Sequence, residues 1–254
     1  MANIENACLI CGAPLVYHQQ AEEMICAVCG RRLHSNAACV NGHFICDDCH
    51  SQPGIAVIRS YCLSSLQCNP VAIAEALFTN PNIHQHGPEH HVLVGAALLT
   101  AYRNCGGTLD LPAALEKMAQ RGSQVPGGVC GFFGCCGAAV SSGIYVSIIA
   151  QATPLSTGPW SLANEMTSQS LHAIATHGGP RCCKRDSYLA LQTAADFTAM
   201  HFGMQLEMPQ QIICHHGGQN HECRGTACLF HPRHSLRLSR PTEEVGTSEY
   251  SAGK

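Results

Sequence analysis

The chain has 254 residues, of which 46% are hydrophobic and 12% charged, against ~25% charged in a typical globular protein. That balance excludes a disordered chain and fits one large domain, or a small module joined to a larger one. A net charge of −3 with only 14 Lys and Arg excludes broad contact with a nucleic-acid backbone, which needs clustered cations.

The anomaly is 18 cysteines and 16 histidines. The opening MANIENACLICG has neither the basic nor the apolar segment of a signal peptide, which predicts a cytoplasmic chain. In that setting paired CxxC motifs are expected to bind metal rather than form disulfides.

Residues 1–55 read as a zinc-binding module. They carry Cys8-x2-Cys11, Cys26-x2-Cys29, Cys39-x3-His43 and Cys46-x2-Cys49. Two residues between ligands let the chain reverse so that both face one point, and two such pairs close a tetrahedral zinc site. Eight ligands therefore predict two zinc ions. Spacing leaves the pairing open between a sequential arrangement (8, 11, 26, 29 and 39, 43, 46, 49) and a crossed one. Short strands are expected at 14–18 and 23–26, as hairpins between the knuckles. Arg31, Arg32 and Arg59 stand against Glu5, Glu22, Glu23, Asp47 and Asp48. That near-neutrality disfavours a DNA-binding finger and favours contact with a protein or another domain.

The run from Cys39 through His43 and Cys46 to Cys49 resembles the middle of RING-type and other treble-clef zinc modules. The resemblance implies the crossed pairing, with Cys26 and Cys29 joining Cys46 and Cys49, and Cys8 and Cys11 joining Cys39 and His43. A RING needs a further CxxC downstream; here Cys62-x5-Cys68 follows, so ubiquitin-ligase activity is not supported.

Residues 56–235 read as a Cys/His-rich α-helical domain. Asn69-Pro70 is an N-cap followed by proline at the first helical position. A second helix is expected at 88–103, and a third after the cap Asp110, ending at Gly122. Residues 160–176 form another, and the last starts at Pro180 or Asp186 and stops at Gly203. Between Arg121 and Glu165 there is no Asp, Glu, Lys or Arg. Within that interval 129–150 reads as a helix long enough to cross a membrane. Its Ser, Gly and Cys content and its missing basic flank favour a buried central helix instead. No long alternating strand pattern is visible, so the fold class is mainly α. The polar tail 236–254 is expected to be disordered.

Three cysteine groups flank glycines in this body: Cys130, Cys135 and Cys136; Cys182 and Cys183; and Cys214 with Cys223 and Cys228. Four thiolates converging from separate loops hold an iron–sulfur cluster. Ligands are expected from Cys130, Cys135 or Cys136, Cys182 or Cys183, and Cys223 or Cys228. A redox dithiol and plain packing are the competing readings, and packing suffices for Cys62, Cys68 and Cys105. Glu89, His90 and His91 bring three ionisable groups to a helix start. Lys184, Arg185 and Asp186 would meet an anionic substrate or face water.

GHFICDDCHS, HGPEHH, GVCGFFGCCGAAVSSG and GGPRCCKRDS together resemble an uncharacterised domain family of anaerobic bacteria and archaea. That family also occurs joined to radical-SAM methyltransferase-like proteins. The resemblance covers about residues 8–232 and implies anaerobic redox, sulfur or one-carbon chemistry, with a radical-SAM-type enzyme as partner. The chain has no CxxxCxxC of its own. The function expected is metal binding, with an iron–sulfur cluster beside structural zinc; a non-enzymatic zinc-stabilised adaptor or metal carrier is the alternative.

Overall fold

The computed structural model describes residues 8–234; the tail expected to be disordered lies outside the described residues. The chain begins with one antiparallel hairpin, β1 (Leu15–Ile25) and β2 (Arg32–Cys39). Pairing runs from Leu15 opposite Cys39 to Ile25 opposite Arg32, with an irregularity between Tyr17 and Glu22. That bulge explains why the sequence shows two short strands: they are the ends of one strand whose alternation slips a register in the middle. Most of β1 is exposed, so the hairpin has almost no core of its own.

Helix α1 (Asp47–Ser64) starts directly after Cys46 and carries Cys49 in its first turn. It runs past residue 55, where composition suggests a module boundary. The side chain of Asp47 accepts the Gly127 N–H at 2.7 Å, tying the helix start to the body.

The body comprises α2 (Pro70–Phe78), α3 (His90–Asn104), α4 (Leu111–Gly122), α5 (Val129–Phe132), α6 (Gly137–Ile149), α7 (Gly158–His177) and α8 (Cys183–Phe202). Two predicted caps are in place. Asn69 Oδ1 accepts from the Val71 and Ala72 N–H groups at 2.9 and 3.0 Å, and Asp110 accepts from Ala113 at 3.2 Å. Such caps contribute ~1 kcal/mol each.

The buried uncharged helix is α6, packed among α3, α4, α7 and α8. It does not extend over the whole of 129–150. Gly128 and Gly134 take φ values of +81° and +63°, which favour glycine, and residues 133–136 separate the single turn α5 from α6. The polar groups of α6 are each satisfied by a different helix. Ser141 Oγ accepts the Gly95 N–H of α3 at 2.9 Å, Ser142 Oγ meets Ser170 Oγ of α7 at 2.9 Å, and Tyr145 OH meets Thr198 Oγ1 of α8 at 3.0 Å. Among the described residues no helix is long and apolar enough to cross a membrane.

At Gly143 helices α6 and α7 pack closely. A Cβ there would lie 1.8 Å from Thr167 Oγ1 and 3.0 Å from the Ala163 carbonyl. Thr167 is β-branched and itself bonded to that carbonyl at 3.1 Å, so it has little room to turn. Gly143→Ala is expected to destabilise the body by ~1–3 kcal/mol, the usual cost of overpacking, read as a lower denaturant midpoint at unchanged m-value.

Candidate metal centres

The hairpin and the start of α1 bring the eight amino-terminal ligands into two groups: Cys8, Cys11, Cys39 and His43, and Cys26, Cys29, Cys46 and Cys49. Within each group the ligand atoms all lie within 4.8 Å of one another. This is the crossed arrangement. It arises because β1 and β2 run antiparallel: the residues flanking the start of β1 meet the end of β2, and those following β1 meet the residues that open α1.

The spacing fits a tetrahedral ion. Two thiolates bound at ~2.3 Å stand ~3.8 Å apart, and the Cys11–Cys39 and Cys29–Cys46 sulfur pairs are both separated by 3.8 Å. Backbone N–H groups of Ile10, His43 and Cys46 donate to the sulfurs of Cys8, Cys39 and Cys26 at 3.3–3.4 Å. The Arg31 guanidinium donates to both Cys29 and Cys46. These donors favour thiolates. The Ala13 N–H, then His43 and Asn41, bring Cys11 down to about 6. Burial would raise Cys26, but N–H groups from Cys46, Cys29 and Val28 outweigh it and bring it to about 6. Cys49 is pushed up to about 12, first by Cys46 and then by burial and the Cys29 and Cys26 sulfurs, a crowding that a shared cation relieves.

A third thiol assembly lies in the body. Cys182, Cys214, Cys223 and Cys228 line one small cleft together with Gln85, Arg185, His216, Asn220 and Arg224. Cys182 comes from the residue before α8, and the other three from the irregular segment that follows Gly203. The N–H groups of His216 and Gly225, each two residues beyond a cysteine, donate to Cys214 and Cys223 at 3.4 Å. Asn220 Nδ2 donates to Cys182 at 3.4 Å. This repeats the donor pattern of Cys8 and Ile10 in the head. Burial pushes Cys182 up to about 11, and also raises Cys214, whose neighbouring Cys228 and Cys223 add to the effect. At the rim, Glu75 accepts from the Tyr188 hydroxyl and lies 3.3 Å from His216 Nε2.

Of the body cysteines expected as ligands, Cys182, Cys223 and Cys228 meet at this cleft. Cys130, Cys135, Cys136 and Cys183 are not among its lining residues. Cys183 opens α8, where burial pushes its thiol well up, and it lies within electrostatic reach of Cys136. Cys136 in turn faces Asp186 Oδ2 at 3.9 Å, and burial pushes its thiol to about 12. Sequence reasoning leaves Cys214 out of the expected ligands, although it lines this cleft and its position shortly before Cys223 on a glycine-rich stretch is visible there.

The residues following Cys183 do not face water. Lys184, Arg185 and Asp186 are all buried. Lys184 Nζ donates to the His84 carbonyl at 2.9 Å and sits 4.3 Å above the Phe78 ring. Arg185 bonds Asp186 Oδ1 at 3.1 Å and the Pro180 carbonyl at 2.8 Å. The three ionisable groups at the α3 start also part company. His90 is held by the Gly87 carbonyl and Lys184, and His91 Nδ1 by the Val125 carbonyl at 2.9 Å. Glu89, with 0% of its surface exposed, turns toward His50 and His84. Burial alone would raise its pKa, but the two imidazoles outweigh burial and hold the carboxyl well below its ordinary range.

The loop leading into α3 therefore serves two places. His84 and Glu89 face His50, whereas Gln85 lines the thiol cleft. His86 Nε2 lies 3.2 Å from Asn220 Oδ1, whose amide nitrogen bonds Cys182.

The model of a family of unknown function, DUF5714, matches residues 58–231, and the chain belongs to that family. No curated protein and no solved structure matches the chain.

Proposed function

We propose that this member of the family is an iron–sulfur protein of anaerobic redox, sulfur or one-carbon metabolism. Its cluster is held by Cys182, Cys214, Cys223 and Cys228, and its amino-terminal hairpin is fixed by two zinc ions. The observation that carries the reading is the convergence of those four thiols on one cleft with N–H donors aimed at three of them. Among the described residues the four sulfurs do not form a single-ion group, and a cluster is the reading we favour over a lone ion. A single tetrahedral ion draws its thiolates to ~3.8 Å, as in both head groups. Among the described residues, no three of the cleft's ligand atoms gather within 4.8 Å, and a cluster needs the wider cradle.

An iron–sulfur cluster supplies one-electron transfer at such a site. The chain's own residues set its surroundings. Arg185 and Arg224 line the cleft and offset the negative charge of four thiolates. The amide donors hold the sulfurs in place and favour the anionic state. The Glu75, Tyr188 and His216 string places a carboxylate next to the thiols: burial raises Glu75, but its bonds to His216 and Tyr188 outweigh this, lower its pKa and keep it ionised. A protein partner, a radical-SAM-type enzyme on the family resemblance, has an apolar face to cover where Phe132 stands beside Tyr17 and the next residue, Phe133, is 80% exposed.

The repeat of the head's donor pattern favours one second reading, a zinc-stabilised adaptor in which the cleft also holds zinc. Metal analysis of full-length protein purified under nitrogen separates the two. Brown protein with iron in addition to zinc is the expected result. Colourless protein with zinc as its sole metal would overturn the cluster and leave the adaptor.

A further inference from the structure

We propose that His50, His84 and Glu89 form a further metal site, for a divalent first-row ion that keeps coordination positions open to an outside ligand. No cysteine takes part, and the site is separate from both the head groups and the thiol cleft.

The three side chains come from three places: His50 from α1, His84 from the loop after α2, and Glu89 from the residue before α3. One ligand atom of each lies within 4.8 Å of the others. His84 Nδ1 is 3.2 Å from Glu89 Oε1, and His50 Nδ1 is 3.5 Å from Glu89 Oε2. Glu89 Oε1 also accepts the His84 N–H at 2.8 Å, which orients the carboxylate. Its other oxygen is the telling atom. Glu89 Oε2 and His50 Nδ1 are both buried without a hydrogen-bond partner, and they face each other. Buried polar atoms without partners are rare in native proteins, and a cation between these two satisfies both.

The backbone is shaped around this arrangement. A Cβ on Gly54 would lie 2.7 Å from the Asn82 carbonyl and 3.1 Å from Glu89 Cβ, so only glycine lets α1 bring His50 this close. A Cβ on Gly87 would strike the Glu89 carboxylate at 2.2 Å. The Glu89 side is sealed, whereas the His50 and His84 side chains each keep 21% exposure, which leaves a way in for an ion.

Two neutral imidazoles and one carboxylate carry a single negative charge and suit zinc or ferrous iron. Three protein ligands leave a position for water or an oxygen-donor ligand, the coordination of reactive rather than purely structural sites. The head groups, with four ligands each, are closed by contrast. His50 precedes the family-matched segment that begins at residue 58, so the site also joins the head to the body.

The test is metal stoichiometry of the full chain. Wild-type protein is equilibrated against excess Zn2+, freed of unbound metal by gel filtration and counted. The expected result is one zinc more than in Glu89→Gln or His84→Ala, with iron and the cysteine-bound zinc unchanged. Calorimetric titration of the remaining site with Zn2+ should show affinity reduced by more than the ~100-fold that loss of an outer-shell partner costs. His50→Ala, at a partly exposed position, serves as a further variant if a change at Glu89 prevents folding, which loss of the far-UV helical signal would reveal. The site is overturned if wild type holds no zinc beyond its cysteine sites, or if the folded variants hold as many ions as wild type.

Discussion

Cys26→Ser is expected to release one zinc ion per chain and unfold the β1–β2 hairpin while leaving the helical body intact. The reason is the near-absence of buried apolar side chains in the hairpin. Along β1 the residues are exposed or only partly buried, and the fully enclosed residues of this region are mostly the ligands Cys8, Cys26, Cys39 and Cys46 themselves. A module of this size cannot offset its conformational entropy by burial. Structural zinc contributes ~10–16 kcal/mol of apparent binding energy at neutral pH, far above what a two-stranded ribbon supplies. Cys26 is one of the two buried members of its group and accepts the Cys46 N–H that starts α1, so its loss also loosens the helix start. Zinc counting should fall by one ion, and limited proteolysis should cut within 8–49. Far-UV dichroism should keep the signal of the body. Unchanged zinc content and a protease-resistant head in the variant would refute this account.

Cys214→Ser should bleach the visible absorption of anaerobically purified protein and remove its iron, whereas Cys130→Ser and Cys135→Ser should keep both. The contrast separates the spatial arrangement from the order of cysteines along the chain. Cys214 lines the cleft with Cys182, Cys223 and Cys228, while Cys130 and Cys135 do not. The Cys214 backbone N–H bonds the Phe230 carbonyl at 2.8 Å, so its place is set by main chain and a serine fits without rearrangement. Serine is a much poorer iron ligand than thiolate, and loss of most of the iron is expected. The reverse outcome, with iron lost on changing Cys130 and kept on changing Cys214, would move the cluster to the turn α5 and the segment that follows it.

Features written in short stretches of the chain are legible from the residues alone. Asn69-Pro70 and Asp110 mark helix starts by their own side-chain chemistry, and Gly203 marks an end. The head groups are legible because three CxxC pairs and the Cys39-x3-His43 pair each report their own local geometry. Features that depend on distant partners are less so. Whether Cys26 and Cys29 join Cys8 and Cys11 or join Cys46 and Cys49 is decided by the antiparallel path of the hairpin, which spacing does not encode. The break at 133–136 rests on the backbone at Gly134, in a run where apolar residues continue on either side. Lys184, Arg185 and Asp186 have the composition of a solvated turn. They are buried because the His84 and Pro180 carbonyls and the Phe78 ring receive them. His50 directly follows Cys49 of a head group, and nothing local marks it, since its partners lie more than thirty positions away.

The loop between α2 and α3 acts as a party wall. One stretch of backbone presents His84 and Glu89 to one chamber and Gln85 and His86 toward the other. Were both sides occupied as proposed, each occupant would order the same few peptide units, and the second would find part of that ordering already done. Such an effect runs equally in both directions. The two chambers would thus sense one another through a shared partition, with no chain of side chains needed to carry the message.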